Sequence, residues 1–274
     1  MEAKPNQVVL LLGHGSRRGR ATNDGIREIA RRVQERFPDG PAVRPAFFEF
    51  LSPTLAEAVG AAARSSAAAI AVLPYFLFDG KEIQHDIPGE LDHLRAKFPG
   101  VPITQLPNLG LDPRLAALVA QRVRDALLGT SQYLPAHGLA HRAASGTLGV
   151  VVVNRGSKAQ WDPGTRLRQL ADLVGAELGE GTLVEIAQAE NSTHTIEVAS
   201  AALVARGARR VVVAPYLHFI GKVISQNVVP ALERSRATHP GIQFSLAWTL
   251  CVNDTAVNIL CERVRSTGFV GAAG

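Results

Sequence analysis

Acidic excess, long apolar runs and a cysteine framework are all missing from this chain of 274 residues. Cysteine occurs only at Cys251 and Cys261, in a stretch that reads as a terminal strand and helix. Such a pair suits buried free thiols better than a disulfide or a metal pair. The longest apolar run, Ala67 to Phe78, is interrupted by Pro74 and falls short of the roughly 20 residues that cross a bilayer. The opening Met-Glu-Ala-Lys-Pro-Asn-Gln is polar and has no signal-peptide layout, so a cytoplasmic protein with no membrane partner is expected. No Gly-x-x-x-x-Gly-Lys-Ser/Thr sequence is present to cradle a phosphate. Arginines are spread along helical stretches without an aromatic-basic stripe, which argues against nucleic acid as a partner. Charged residues make up 19% against 46% hydrophobic, the balance of a filled core rather than a disordered chain. The net charge of +5 favours an anionic partner.

What the chain does contain is itself, twice. Shifted by 141 residues, Gly15-Ser16 falls on Gly156-Ser157, Glu49 on Glu190 and Thr54 on Thr195. Pro74-Tyr75 falls on Pro215-Tyr216, Gly80-Lys81 on Gly221-Lys222, and Arg122-Val123-Arg124 on Arg263-Val264-Arg265. Between residues 47 and 85 there are 12 identities in 39 ungapped positions. Chance would give about 3, so the halves share an origin and imply two domains rather than a solenoid. Each half reads as strands alternating with helices, hence α/β with right-handed crossovers and a parallel sheet. Buried strands are expected at Val8 to Leu12, Ala42 to Phe48, Ala69 to Pro74 and Ile103 to Leu106. Their counterparts are Val150 to Val153, Thr182 to Ala187, Arg210 to Pro215 and Gln243 to Ala247. Amphipathic helices are expected over about Asn23 to Arg36 and Thr165 to Leu178. The helices that follow take Ser52 and Thr193 as N-caps. A final helix closes each half. The join falls near Gly129 to Thr147, where His137 and His141 read as solvated linker residues.

The turns after the strands of the first half carry the candidate chemistry. Val8-Val9-Leu10-Leu11-Leu12 runs into Gly13-His14-Gly15-Ser16. A strand buried on both faces thus ends in a histidine flanked by glycines, at the sheet edge where open parallel sheets bind ligands. Taken alone, His14 reads equally as a turn residue. Glu49 follows the second strand, and Glu82 and His85 follow the third. Imidazole and carboxylate together suit a divalent first-row metal. Glu82 and His85, three residues apart, share a face if the turn is α-helical. In the second half His14 becomes Arg155, Glu82 becomes Val223, His85 becomes Gln226 and Asp86 becomes Asn227, while Glu190 persists. One site per chain is therefore expected. His194 and His218 remain in the second half. Arg155 offers a cation to a carboxylate.

The ordered set Gly-His-Gly-Ser, "AFFEF", "VLPYFLFDGK" and "HDIP" resembles the sirohydrochlorin chelatases, the cobalt- and iron-inserting enzymes of cobalamin and sirohaem synthesis. "NRGS" and "VVVAPYLHFIGK" are similar to the inactive half of the family's long form. The resemblance implies two tandem chelatase-like α/β/α domains, each with a mainly four-stranded parallel sheet. Residues 1–130 would hold the active site, 131–147 the linker and 148–274 a degenerate copy. It implies a metal-inserting enzyme acting on an anionic tetrapyrrole with eight carboxylates, in the cleft between the domains. No cofactor is implied beyond the substrate metal, Co²⁺ or Fe²⁺ with Ni²⁺ admissible, and no nucleotide. His14 and Glu82 would be catalytic. His14, Glu82, Glu49 and His85 would ligate the metal, and Ser16, Arg17, Arg18, Lys81 and Arg155 would meet the substrate. Where the family usually has a second histidine, in Gly-x-His, this chain has Glu82, a harder oxygen ligand. A monomer is expected, since two copies already make an internal pseudo-dimer. A dinucleotide oxidoreductase fits poorly, because Gly13, Gly15 and Gly19 are spaced too widely. A phosphohistidine phosphatase would need an arginine where Gly13 stands. A non-catalytic tetrapyrrole or metal carrier is the alternative.

Overall fold

A computed structural model describes residues 6–17, 19–130, 146–156, 163–190 and 192–269. The first copy runs β1 (Gln7–Gly13), α1 (Arg20–Glu35), β2 (Ala42–Phe47), α2 (Leu55–Arg64) and β3 (Ala69–Pro74). A π-helical turn (Glu82–Asp86) then leads into α3 (Ile87–Lys97), β4 (Ile103–Gln105) and α4 (Pro113–Leu128). The second copy repeats this order as β5 (Leu148–Asn154), α5 (Pro163–Leu178), β6 (Leu183–Gln188), α6 (Ile196–Ala205) and β7 (Arg210–Pro215). Its π-helical turn (Val223–Val228) precedes α7 (Val229–Thr238), β8 (Gln243–Leu246) and α8 (Asp254–Arg265). Both sheets have four parallel strands, ordered β2-β1-β3-β4 and β6-β5-β7-β8. The expected α/β class, its duplication and its strand count hold. Among the described residues no helix is long and apolar enough to cross a membrane.

The strand runs are continuous because helices cover both sheet faces. Val8, Leu10, Leu12, Ile70 and Val72 point one way and pack with Leu55, Val59 and Ala62 of α2 and Ile87, Leu91 and Leu94 of α3. The alternate residues Val9, Leu11, Ala71 and Leu73 are as deeply buried on the opposite face. The second sheet repeats this, with Val151, Val153, Val211 and Val213 against α6 and α7.

Some helix starts differ from the sequence reading. Helix α1 begins at Arg20 rather than near Asn23. Thr54 and Thr195, not Ser52 and Thr193, cap α2 and α6. The Glu57 N–H donates to Thr54 Oγ1 at 3.2 Å, and the Thr54 N–H donates to Glu57 Oε2 at 2.8 Å, a complete capping box. The Ser52 hydroxyl is turned to the same carboxylate at 2.7 Å. Glu90 is half-buried on α3, and burial pushes its carboxyl above the usual range.

The closing helices do not stay with their own copies. One compact unit comprises residues up to Gly110 together with Val252 onward, and the other runs from Leu111 to Cys251. Helix α8 thus lies with α1 and β3 in the first unit, and α4 with α5, β7 and β8 in the second. Asp254 of α8 meets Arg32 at 3.5 Å, Asn258 accepts from Arg36 at 3.4 Å, and the Arg265 guanidinium sits 5.4 Å from the Phe37 ring centre. Arg124 of α4 donates to the Glu177 carbonyl at the end of α5. The expected division at 1–130 and 148–274 follows the sequence repeat, whereas packing trades the last helix of each copy. An amphipathic pattern shows that a helix buries one face but not which sheet receives it. The expected linker, with His137 and His141, lies almost wholly outside the described residues.

Candidate functional site

In the order β2-β1-β3-β4, β1 and β3 are neighbours whose crossovers leave in opposite directions. Their carboxyl ends flank the switch point, where open α/β sheets hold ligands. His14 follows β1 directly, and Glu82 opens the π-helical turn that follows the loop after β3. The loops are tied to the sheet by backbone bonds. Tyr75 N–H donates to Leu12 O at 2.8 Å, Phe48 N–H to Gly13 O at 2.8 Å, and Glu49 N–H to His14 O at 2.9 Å. Gly15 makes this approach workable. Its φ is +87°, and a Cβ there would lie 2.1 Å from the Glu49 carbonyl oxygen.

His14 Nε2 and Glu82 Oε1 are 3.9 Å apart. That is too long for a hydrogen bond. It suits two ligands of one first-row ion, since bonds of about 2.0–2.2 Å leave neighbouring donors roughly 3–4 Å apart. The two side chains are 39% and 36% exposed, so both are open to solvent. Phe48, Phe50 and Phe76 surround the imidazole, each ring centroid 6.2 Å away. The Arg17 guanidinium lies over Phe50, 4.7 Å from its centroid.

The other expected site residues are dispersed. Among the described residues no three His, Cys, Asp or Glu side chains come close enough to hold a metal, so neither Glu49 nor His85 joins His14 and Glu82 in such a group. Both side chains are exposed. For His85 the reason is local winding. The Ile87 N–H donates to Glu82 O five residues back, so the turn is π-helical and residues three apart do not share a face as in an α-helix. Ser16 builds the β1–α1 turn. Its Oγ accepts from Gly19 N–H at 2.9 Å, and its backbone exchanges two hydrogen bonds with the Asn23 side chain, at 3.0 and 2.9 Å. Lys81 pairs with Asp86 at 3.1 Å, and in the second copy Arg155 pairs with Glu190 at 3.1 Å. Arg18 lies outside the described residues. His194 and His218 carry backbone bonds in the second copy, His194 O accepting from Gln188 and His218 O from Cys251. The aromatic residues around His14 escaped the sequence reading, which took "AFFEF" only for its acid. The missed clue was Phe50, which falls on Asn191 in the repeat.

Known proteins match this chain across both copies. The CbiX family profile fits residues 8–126 and again 149–267. A sirohydrochlorin ferrochelatase of Priestia megaterium is 25% identical over 261 residues, 94% of this chain and 90% of that protein. A sirohydrochlorin cobaltochelatase of Methanosarcina acetivorans is 35% identical over 126 residues, 43% of this chain and 95% of its own length. In three dimensions, SirB from Bacillus subtilis with Fe³⁺ aligns at a TM-score of 0.75 and 22% identity, covering 96% of this chain and 95% of that one. The last likeness concerns fold. Matched twice over by one profile, and over nearly its full length by a relative, the chain belongs to the CbiX family in a two-copy form.

Proposed function

We propose that this protein is a sirohydrochlorin chelatase that inserts Co²⁺ or Fe²⁺ into the tetrapyrrole without ATP. The observation that carries the reading is the His14–Glu82 pair, 3.9 Å apart at the switch point between β1 and β3. Insertion replaces two pyrrole N–H protons by one divalent ion. Two donors release the metal and two protons need acceptors, so each donor that gives up the ion is free to take one proton. A neutral imidazole and a carboxylate are the appropriate bases near neutral pH. Glu49 and His85 are not needed as ligands, because water and then the pyrrole nitrogens fill the remaining positions. Arg17 and Lys81 supply cations for the substrate's carboxylates, and the basic chain draws in a polyanion. In this reading the enzyme works as a cytoplasmic monomer.

The test mixes the protein with sirohydrochlorin and Co²⁺ or Fe²⁺ and follows the absorption spectrum. Wild type is expected to accelerate insertion, and His14→Ala to return it to the rate of metal and substrate alone. A wild-type rate equal to that background would point to a carrier. Competing metals in the same assay would show which ion the Glu82 oxygen favours.

A further inference from the structure

We propose that Phe50, with Arg17 lying over its ring, is a binding element for the tetrapyrrole substrate. The phenyl ring would contact the flat apolar macrocycle, and the guanidinium a carboxylate on its rim. The inference rests on the chelatase reading and deepens it. Phe50 is 48% exposed, one of three large hydrophobic side chains left in solvent among the described residues. The other two, Leu128 and Val198, lie on α4 and α6 of the second unit. Phe48 and Phe76 also neighbour His14, but both pack against the core of the first unit. Phe50 alone of the three is turned outward.

Its backbone strengthens the case. Phe50 has φ +70°, in the left-handed region that glycine and asparagine adopt easily and a bulky aromatic does not. Backbone bonds hold it there from both sides, Glu49 N–H to His14 O at 2.9 Å and Phe47 N–H to Pro53 O at 2.9 Å. At the matching position the second copy has Asn191, a residue suited to that conformation, though it lies outside the described residues. The copy that keeps His14 and Glu82 therefore carries an unfavourable and exposed residue beside them. Strain retained next to a site calls for a functional reason. A planar ligand with apolar faces and an anionic rim matches an exposed phenyl ring capped by a guanidinium.

The test titrates metal-free protein with sirohydrochlorin and measures Kd spectroscopically for wild type, Phe50→Asn and Phe50→Tyr, with thermal melts of each. Phe50→Asn is expected to bind about tenfold more weakly. It should also melt about 2–4 °C higher, because the strain is relieved. Phe50→Tyr should keep wild-type affinity. In the insertion assay KM for sirohydrochlorin should rise in Phe50→Asn while KM for Co²⁺ stays put. Unchanged affinity in Phe50→Asn would overturn the proposal and leave the chelatase reading standing. A lower melting temperature with both KM values raised would make Phe50 a structural residue and also overturn it. If wild type does not bind sirohydrochlorin, both readings fall together.

Discussion

The two copies share a backbone and differ in what it holds out. Gly15 and Gly156 have φ of +87° and +90°, and at each a Cβ would lie 2.1 Å from the carbonyl oxygen of the matching glutamate, Glu49 or Glu190. The bond from Glu49 N–H to His14 O has its twin from Glu190 N–H to Arg155 O at 2.8 Å. Both copies wind the chain after the third strand as a π-helical turn. Yet His14 faces Glu82 in one copy, whereas in the other Arg155 closes onto Glu190 and Val223 stands where the second donor would be. Glycines and backbone bonds do the positioning, so the side chains at the turn can change while the fold persists.

Converting the first copy into the second should break that difference most completely. The double variant His14→Arg/Glu82→Val is expected to lose at least about 10²-fold in catalysed metal insertion. Its unfolding free energy should stay within about 1 kcal/mol of wild type, as for partly exposed positions, which denaturant titration would check. A variant that unfolds would mean that the pair is structural.

Next in size is the shared turn. Gly15→Ala and Gly156→Ala should each destabilise by about 2–4 kcal/mol, since the new methyl meets backbone rather than a yielding side chain. If only one of them destabilises, the turns are not equivalent. Gly15→Ala alone should also lower metal insertion.

The smallest effect concerns Glu90, which falls on the buried Ala231 of the second copy. Burial raises its carboxyl, so its protonated form is favoured in the folded state. Its stabilising contribution is complete below the ordinary carboxylate range and is lost as pH rises through the raised value. Glu90→Gln, which does not titrate, should therefore match wild type in melting temperature near pH 3 and exceed it slightly at pH 7. An equal offset at both pH values would remove burial as the cause.

Much of this was readable in the residues. Parallel strands covered on both faces must be continuous apolar runs, so β1, β3, β5 and β7 stand out. Their carboxyl ends share one edge, which let His14 and Glu82 be placed together although they are far apart in sequence. What stayed hidden depended on geometry that hydrophobic patterning does not encode. A single extra residue per hydrogen-bonded ring in the turn after β3 takes His85 off the face of Glu82. Thr54 could have been preferred to Ser52 as the cap, because it recurs as Thr195 and is followed by Glu57 at capping-box spacing. The left-handed backbone at Phe50 has no sequence mark except the asparagine in the other copy.

The exchange of α4 and α8 sets a limit on how this gene can be divided. A cut at the seam between the repeats would release a first half whose sheet lacks one of the helices that cover it, and whose last helix has lost the surface it was built to cover. Duplication by itself therefore did not leave two interchangeable modules. Each ancestral segment now finishes its neighbour, so the fused halves persist or fail as one inheritance.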